Sequence, residues 1–211
     1  MIIRTVRGGP VAVNTYILSS GGHESVIIDP SDAPRIKTLL YNLSLVPKAV
    51  LLTHGHFDHI WGLDEIISSY PDIPVYLHPA DKDMLTDPQK NMACMVGIND
   101  PGYFKFGNTT DITDGQIIKI EDMEFTVIHT PGHTKGGVCY LSGNAMFTGD
   151  TLFRGFAGRT DFYNSDHSEL LGSLAKLKNY DDSIEVYPGH DRETTLGREK
   201  KYNPFLNSIP F

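Results

Sequence analysis

The 211-residue chain has only two cysteines, Cys94 and Cys139, far apart and outside any CxxC or Cys/His finger spacing. That scarcity excludes a disulfide framework and a cysteine-based zinc module. Cys139 lies in the apolar run Val138-Cys139-Tyr140-Leu141, where a thiol packs as a small hydrophobe. No apolar run reaches the ~18 residues of a membrane span, and Met1 to Pro10 lacks the apolar stretch of a secretory leader. A cytoplasmic protein with no membrane partner is expected. Basic residues are few: 18 Lys and Arg against 26 Asp and Glu, for a net charge of −8. The chain therefore lacks the basic footprint that nucleic acid or an anionic membrane requires, while a local basic pocket for an acidic metabolite stays open. A low-complexity linker is also missing, so 1–211 is expected to form one domain, with proline and glycine marking turns.

Periodicity predicts an alternation of strands and helices. Strands are expected at Val11–Leu18 and Ser25–Asp29, then a helix at Ala33–Leu45 capped by Ser31 or Asp32, with Ile36, Leu39, Leu40 and Leu43 as its apolar stripe. Lys48–Thr53 reads as a short strand buried on both faces. A helix follows at Leu63–Tyr70 and a strand at Pro74–His78. Pro79–Asp114 carries many Asp, Asn, Gly and Pro residues and reads as a long excursion with a short helix near Asp81–Leu85. Strands at Gln116–Ile120 and Glu124–His129 and a hairpin of Gly137–Leu141 with Ala145–Thr148 come next. Ser168–Lys178 is a predicted helix capped by Ser165 or Asp166, Ile184–Tyr187 the last strand and Glu193–Lys201 the final helix. Two stretches echo each other. Thr15–Asp29 and Gly137–Asp150 are both hairpins ending in an acid, each followed by a helix and by a strand running into a histidine, His54 or His190. The order implies two similar halves facing each other, with sheets covered by helices.

The chemistry concentrates in Thr53-His54-Gly55-His56-Phe57-Asp58-His59. Four ligand-type side chains in six positions, directly after an apolar strand, have little structural purpose. Alone, His133 in Thr130-Pro131-Gly132-His133-Thr134, or His190 in Pro188-Gly189-His190, would be an ordinary turn histidine, and Asp150 in Thr148-Gly149-Asp150 a capping acid. Together with the run they supply five imidazoles and two carboxylates, suited to two borderline divalent ions. Two such ions roughly 3.5–4 Å apart form a catalytic clamp, and a strand-end carboxylate such as Asp150 is suited to bridge them. His23, His78, His129 and His167 read as solvated or hydrogen-bonded structural residues.

The His-x-His-x-Asp-His run, Thr-Pro-Gly-His-Thr, Thr-Gly-Asp and the late Pro-Gly-His resemble the metallo-β-lactamase superfamily across nearly the whole chain. The resemblance implies a four-layer αββα sandwich, an α/β fold of two mixed sheets flanked by helices. It places His54, His56 and His133 on a first metal, Asp58, His59 and His190 on a second, and Asp150 between them. Asp29 would orient a ligand histidine from behind. The metals would be zinc, with iron or manganese accepted by the same donors.

A site of this kind makes hydroxide available at neutral pH and suits acyl transfer to water, with Asp58 orienting the nucleophile or taking its proton. A thioester is a favourable substrate, since a thiol of pKa about 8.5 leaves without a strong general acid. Gly149-Asp150-Thr151-Leu152-Phe153, followed by Gly158-Arg159, looks like glyoxalase II, the hydroxyacylglutathione hydrolase. In that family the basic residue of this element binds the glutathione carboxylate, which makes Arg159 the matching position. The alternative is a loop arginine paired with Asp161 or Asp166. Only 21 residues follow His190, so the C-terminal helical domain of full-length glyoxalase II is expected to be absent and a short, single-domain relative is implied. Gly158-Arg159-Thr160-Asp161-Phe162 also resembles persulfide dioxygenases, which hold one iron on two histidines and an aspartate. The first reading is thus a dinuclear hydrolase of a small thioester of the S-lactoylglutathione type. Beside it stand an iron dioxygenase, a hydrolase of another ester or lactone, and a non-catalytic metal-binding module. The Met84, Met92, Met95, Tyr103, Phe104 and Phe106 side chains of the excursion read either as packing or as cover for a cleft or a subunit interface.

Overall fold

In the computed structural model, which describes residues 1–106 and 108–207, the strands form two large mixed sheets. Gly107, inside the excursion, and residues 208–211, at the end of the expected domain, lie outside the described residues. The first sheet runs in chain order: β1 (Ile2–Gly8), β2 (Val13–Ser19), β3 (Glu24–Ile28), β4 (Val46–Leu51), β5 (Val75–Leu77) and β6 (Thr110–Asp111). β1 to β3 are antiparallel, and β3 to β6 pair in parallel. The second sheet begins with β7 (Ile117–Ile120), β8 (Met123–His129), β9 (Val138–Ser142) and β10 (Ala145–Gly149). A small hairpin follows, β11 (Leu152–Phe153) with β12 (Phe156–Ala157), before β13 (Glu185–Pro188) and β14 (Thr194–Thr195) complete the sheet. Its spatial order is β14-β13-β10-β9-β8-β7, with β10 and β13 parallel and the other pairs antiparallel.

Alternation along the strands explains the layering. In the first sheet Tyr16, Leu18, Val26, Ile28, Ala49 and Leu51 face one way and meet Phe125, Val127, Tyr140 and Phe147 of the second. Their neighbours Ile17, Ile27 and Val50 face the other way, against α1 (Ala33–Asn42) and α2 (Leu63–Ser69). The second sheet likewise turns Ile128, Cys139, Met146 and Val186 outward onto α3 (His167–Lys178), α4 (Leu196–Tyr202) and α5 (Pro204–Asn207). Three apolar layers thus alternate with two sheets, which is the expected αββα sandwich. Among the described residues no helix is long and apolar enough to cross a membrane. Cys139 is wholly buried in the outer layer, and burial pushes its thiol up to about 11.

The echo between the two stretches is real in three dimensions. β2–β3–α1–β4 and β9–β10–α3–β13 are each a hairpin, a helix and a strand parallel to the hairpin's second member. Asp32 caps α1, with Oδ1 accepting from Arg35 N–H at 3.2 Å. Asp166 caps α3, accepting from Ser168 N–H at 2.7 Å and Glu169 N–H at 3.0 Å. α1 is shorter than the apolar stripe suggests and stops at Asn42, because Ser44 turns left-handed at φ 53° and Leu45 N–H bonds back to Leu40 O. The short helix near Asp81 is a 3-10 turn, Pro79–Met84. Within the excursion Met84, Leu85, Ala93 and Phe104 are buried, whereas Met95 and Tyr103 are exposed, so packing explains most of its apolar residues.

Candidate metal centre

The seven singled-out residues all leave the ends of core strands. His54, His56, Asp58 and His59 lie in the loop after β4, and His133 in the loop after β8. Asp150 follows β10, and His190 is two residues beyond β13. β8 and β10 are each antiparallel to β9, and β13 is parallel to β10, so these three strands end on the same rim. The fold brings all seven together. His54, His56 and His133 form one trio able to hold a metal ion, and Asp58, His59 and His190 another. His54, His59 and Asp150 form a third, overlapping both; in every trio the donor atoms lie within 4.8 Å of one another. Asp150 stands between the first two groups, with Oδ1 3.4 Å from His59 Nε2 and Oδ2 3.5 Å from His133 Nε2 and 3.6 Å from His190 Nε2.

Supporting contacts turn the ring nitrogens inward. Asp29, buried at the end of β3, accepts from His59 Nδ1–H at 2.8 Å, from Thr53 N–H at 2.8 Å and from Thr53 O–H at 2.7 Å. His133 Nδ1–H donates to the Arg159 carbonyl at 2.8 Å, leaving Nε2 to face the centre. His56 Nδ1 stands 3.0 Å from His133 Nε2, a separation that calls for a shared proton or a cation. The residues fit a metal on a direct criterion. Among the described residues, six buried side-chain polar atoms lack a hydrogen-bond partner, and four belong to these residues: His54 Nε2, His59 Nε2 and Asp150 Oδ1, and also His56 Nε2, whose other ring nitrogen faces His133. Buried polar atoms without partners are costly, and concentrating them at one point is what donors awaiting cations look like.

Protonation follows the same logic. Burial, reinforced by the neighbouring imidazoles, pushes His56 down to about 3 and His54 well below the usual histidine range, so both keep free lone pairs. Burial also opposes charge on His59, but Asp58, Asp150 and Asp29 outweigh it and raise its pKa. Asp58 and Asp150 are held ionised: burial works against their charge, and His59 and His190 more than offset it.

Two features were not readable from residue spacing. Asp81, inside the excursion and fully buried, fastens the two metal-side loops to each other. Its Oδ2 accepts from Gly55 N–H at 3.1 Å and Thr134 O–H at 2.7 Å, and its Oδ1 from Gly136 N–H at 2.7 Å. The only signal for it was an acid in an otherwise uninformative segment. Phe162 packs edge-on against His56 and His133, with ring centroids 5.5 and 6.1 Å away. Arg159 stacks on the Phe162 ring at 4.3 Å and forks onto Asp161 at 2.9 and 2.7 Å, both side chains being exposed. The pairing with Asp161 is therefore formed, while an exposed ion pair remains exchangeable. The other histidines are structural in contact: His23 bonds Ser44 O, His78 stacks on His129, and His167 meets Thr160.

Relatives place this arrangement. The family model described as the metallo-beta-lactamase superfamily matches residues 8–190. The probable metallo-hydrolase YqgX of Bacillus subtilis is 37% identical, over 95% of each chain. The hydroxyacylglutathione hydrolase GloC of Haemophilus influenzae is 34% identical, over 92% of this chain and 93% of its own. Among solved structures, the BLEG-1 B3 metallo-beta-lactamase superposes with a TM-score of 0.88 at 36% identity, over 97% of this chain and 99% of its own. TTHA1623 in a di-iron-bound form gives 0.85 at 36%, over 96% and 100%. ETHE1 from Myxococcus xanthus gives 0.79 at 28%, over 97% and 84%. With its two-sheet sandwich, its donor residues on one rim and these relatives, the chain belongs to the metallo-beta-lactamase superfamily.

Proposed function

We propose that the chain is a two-metal hydrolase that cleaves a small acyl thioester of the S-lactoylglutathione type. The observation that carries the metal part is the convergence of two donor trios around Asp150, with His54 Nε2, His59 Nε2 and Asp150 Oδ1 buried and otherwise unpartnered. The substrate class is supported by the hydroxyacylglutathione hydrolase relative, which is matched over nearly its whole length. His54, His56 and His133 would hold one divalent ion, Asp58, His59 and His190 the other, and Asp150 would touch both. Two bound ions supply Lewis acidity and a water acidic enough to ionise near neutral pH. Zinc, iron and manganese all suit these donors, and the di-iron relative shows iron in a related chain.

The protein's own groups do the rest. Asp58 Oδ2, 3.3 Å from His190 Nε2 and held ionised, is placed to orient the attacking water and to accept its proton. Phe162 against His56 and His133, and Phe153 against His190 at 6.2 Å, wall the centre on two sides and limit water. The departing thiolate needs no acid, since a thiol pKa of about 8.5 makes it a competent leaving group. The test is to purify the protein, count metal per chain and follow S-lactoylglutathione cleavage, with Asp58→Ala beside wild type. Two metals per chain and a loss of turnover by roughly 100-fold or more in the variant are expected. One iron per chain, with oxygen uptake on glutathione persulfide and no thioester cleavage, would refute the proposal in favour of a dioxygenase.

A further inference from the structure

Four of the chain's seven arginines, Arg7, Arg154, Arg192 and Arg198, converge on one cavity of about 350 Å³, which Phe156 and Asp191 also line. The cavity's lining includes the chain segment that directly follows His190. Asp191 and Arg192 follow His190 directly, and Phe153, the neighbour of Arg154, packs its ring against that histidine. In a chain of net charge −8 such a gathering of cations in one concavity is only partly accounted for by structural partners. Arg198 pairs with Glu199, and Arg7 donates Nε–H to Ala12 O at 3.3 Å. Among the described residues, no carboxylate forms an ion pair with Arg7, Arg154 or Arg192. Among the described residues of the lining, Asp191 is the only acid.

The segments that carry these arginines are fastened to one another by buried polar contacts. Glu199, fully buried in α4, accepts from Gly155 N–H at 2.6 Å, which pins the β11–β12 turn bearing Arg154 to the helix bearing Arg198. Asn203, also buried, donates to Phe153 O at 3.3 Å and Phe156 O at 2.9 Å on the same hairpin. On the opposite wall Asn14 donates from Nδ2 to Asp191 O at 2.8 Å and Pro188 O at 3.1 Å, holding the loop that carries Arg192. Asn14 is the β2 partner of Arg7 in the sheet register. The cavity is thus built on a preorganised frame, which lowers the ordering cost of binding.

We propose that this cavity is an anion subsite, taking a terminal carboxylate or phosphate on a small molecule whose reacting bond sits at the metal centre. The inference deepens the proposed function and rests on it for what happens at the metals. Guanidinium forks suit both oxyanions, which present paired oxygens to paired N–H groups. The subsite is distinct from Arg159, which lies on the His133 side and already holds Asp161.

The test uses metal-loaded protein at low ionic strength, where exposed charges are least screened. Calorimetric titration with inorganic phosphate, and separately with malonate, reads the cavity without turnover. Supporting the subsite would be binding that weakens about 10-fold in Arg154→Gln and in Arg192→Gln but not in Lys119→Gln on the far edge strand β7. The tighter probe then identifies phosphate or carboxylate as the group. Binding unchanged in both cavity variants would assign the anion to the metals and overturn the proposal, as would no binding of either probe. With S-lactoylglutathione, the same two substitutions are expected to raise KM about 10-fold with kcat within about two-fold. An unchanged KM would overturn the substrate role. Failure of wild type to cleave that thioester would count against the proposed function while leaving the titration readable.

Discussion

Gly189 separates the end of β13 from His190, and a Cβ at this position would lie 2.4 Å from Asp150 Oδ1 and 2.6 Å from His59 Cε1. Neither neighbour is a flexible side-chain end: Asp150 stands between the two donor trios, and His59 is tied to Asp29. A methyl group would therefore displace donors that must stay in place. Gly189→Ala is expected to lose most of its bound metal, measured per chain after dialysis against a weak chelator, while keeping the wild-type circular dichroism spectrum. Full metal content in that variant would contradict the role assigned to this close approach. The seven proposed donor residues stand out in the sequence because their side-chain chemistry is unusual in that order, and the fold brings them together. The glycine beside them was not, because its reason is a contact with residues 39 and 130 positions away in the chain.

At the level of elements, helices α1 to α4 and the central strands were readable because each has an apolar stripe or run, to which α1 and α3 add a capping acid. The strands missed were those without such a pattern. β1, Ile2–Gly8, alternates only weakly, with Arg4, Thr5 and Arg7 among its residues, since an edge strand buries little. β11 and β12 are two residues each, too short to carry a period. The excursion's expected short helix is the 3-10 turn Pro79–Met84, and what the sequence did not announce is its role, because a single buried acid on it links two loops from different sheets. Asp81→Ala would leave two backbone N–H groups and one hydroxyl buried without their acceptor. Its cost is expected to be roughly 3 kcal/mol, taking the penalty for such orphaned donors at the low end. Urea unfolding of metal-free samples checks the figure, and metal affinity should fall with it, since Gly55, Thr134 and Gly136 border three of the proposed ligands. A midpoint equal to that of wild type would show that Asp81 does not hold these loops.

At the scale of the molecule, the two sheets are joined by reciprocal polar ties that no periodicity announces. Tyr16 of the first sheet donates to Pro188 O in the second at 2.6 Å, and Tyr140 of the second donates to Leu52 O beside the first at 2.8 Å. Val138 N–H of β9 bonds Thr53 O at 2.9 Å, just ahead of His54. Pairing of the halves could be inferred from the repeated order of elements, but these ties depend on which residues meet after packing. One further junction responds to pH. His78, just past β5, stacks on His129 at the end of β8, with ring centroids 4.2 Å apart and planes 8° apart. Burial, helped by the facing His129 ring, lowers the His78 pKa; Asp111 and Asp114 act weakly the other way. Lys82, whose Nζ pairs with Asp111, and Lys176, whose Nζ pairs with Asp114, are the other charged groups nearby. The folded protein therefore binds fewer protons at His78 than the unfolded chain does just below pH 6.5, so acidification through that window favours unfolding. Wild type is expected to lose stability faster than His78→Gln as the pH falls below about 6.5, with both measured as urea midpoints on metal-free protein. The subtraction removes every contribution that the two proteins share. Parallel pH profiles for the two proteins would show that the stacked pair does not couple the sheets to protonation.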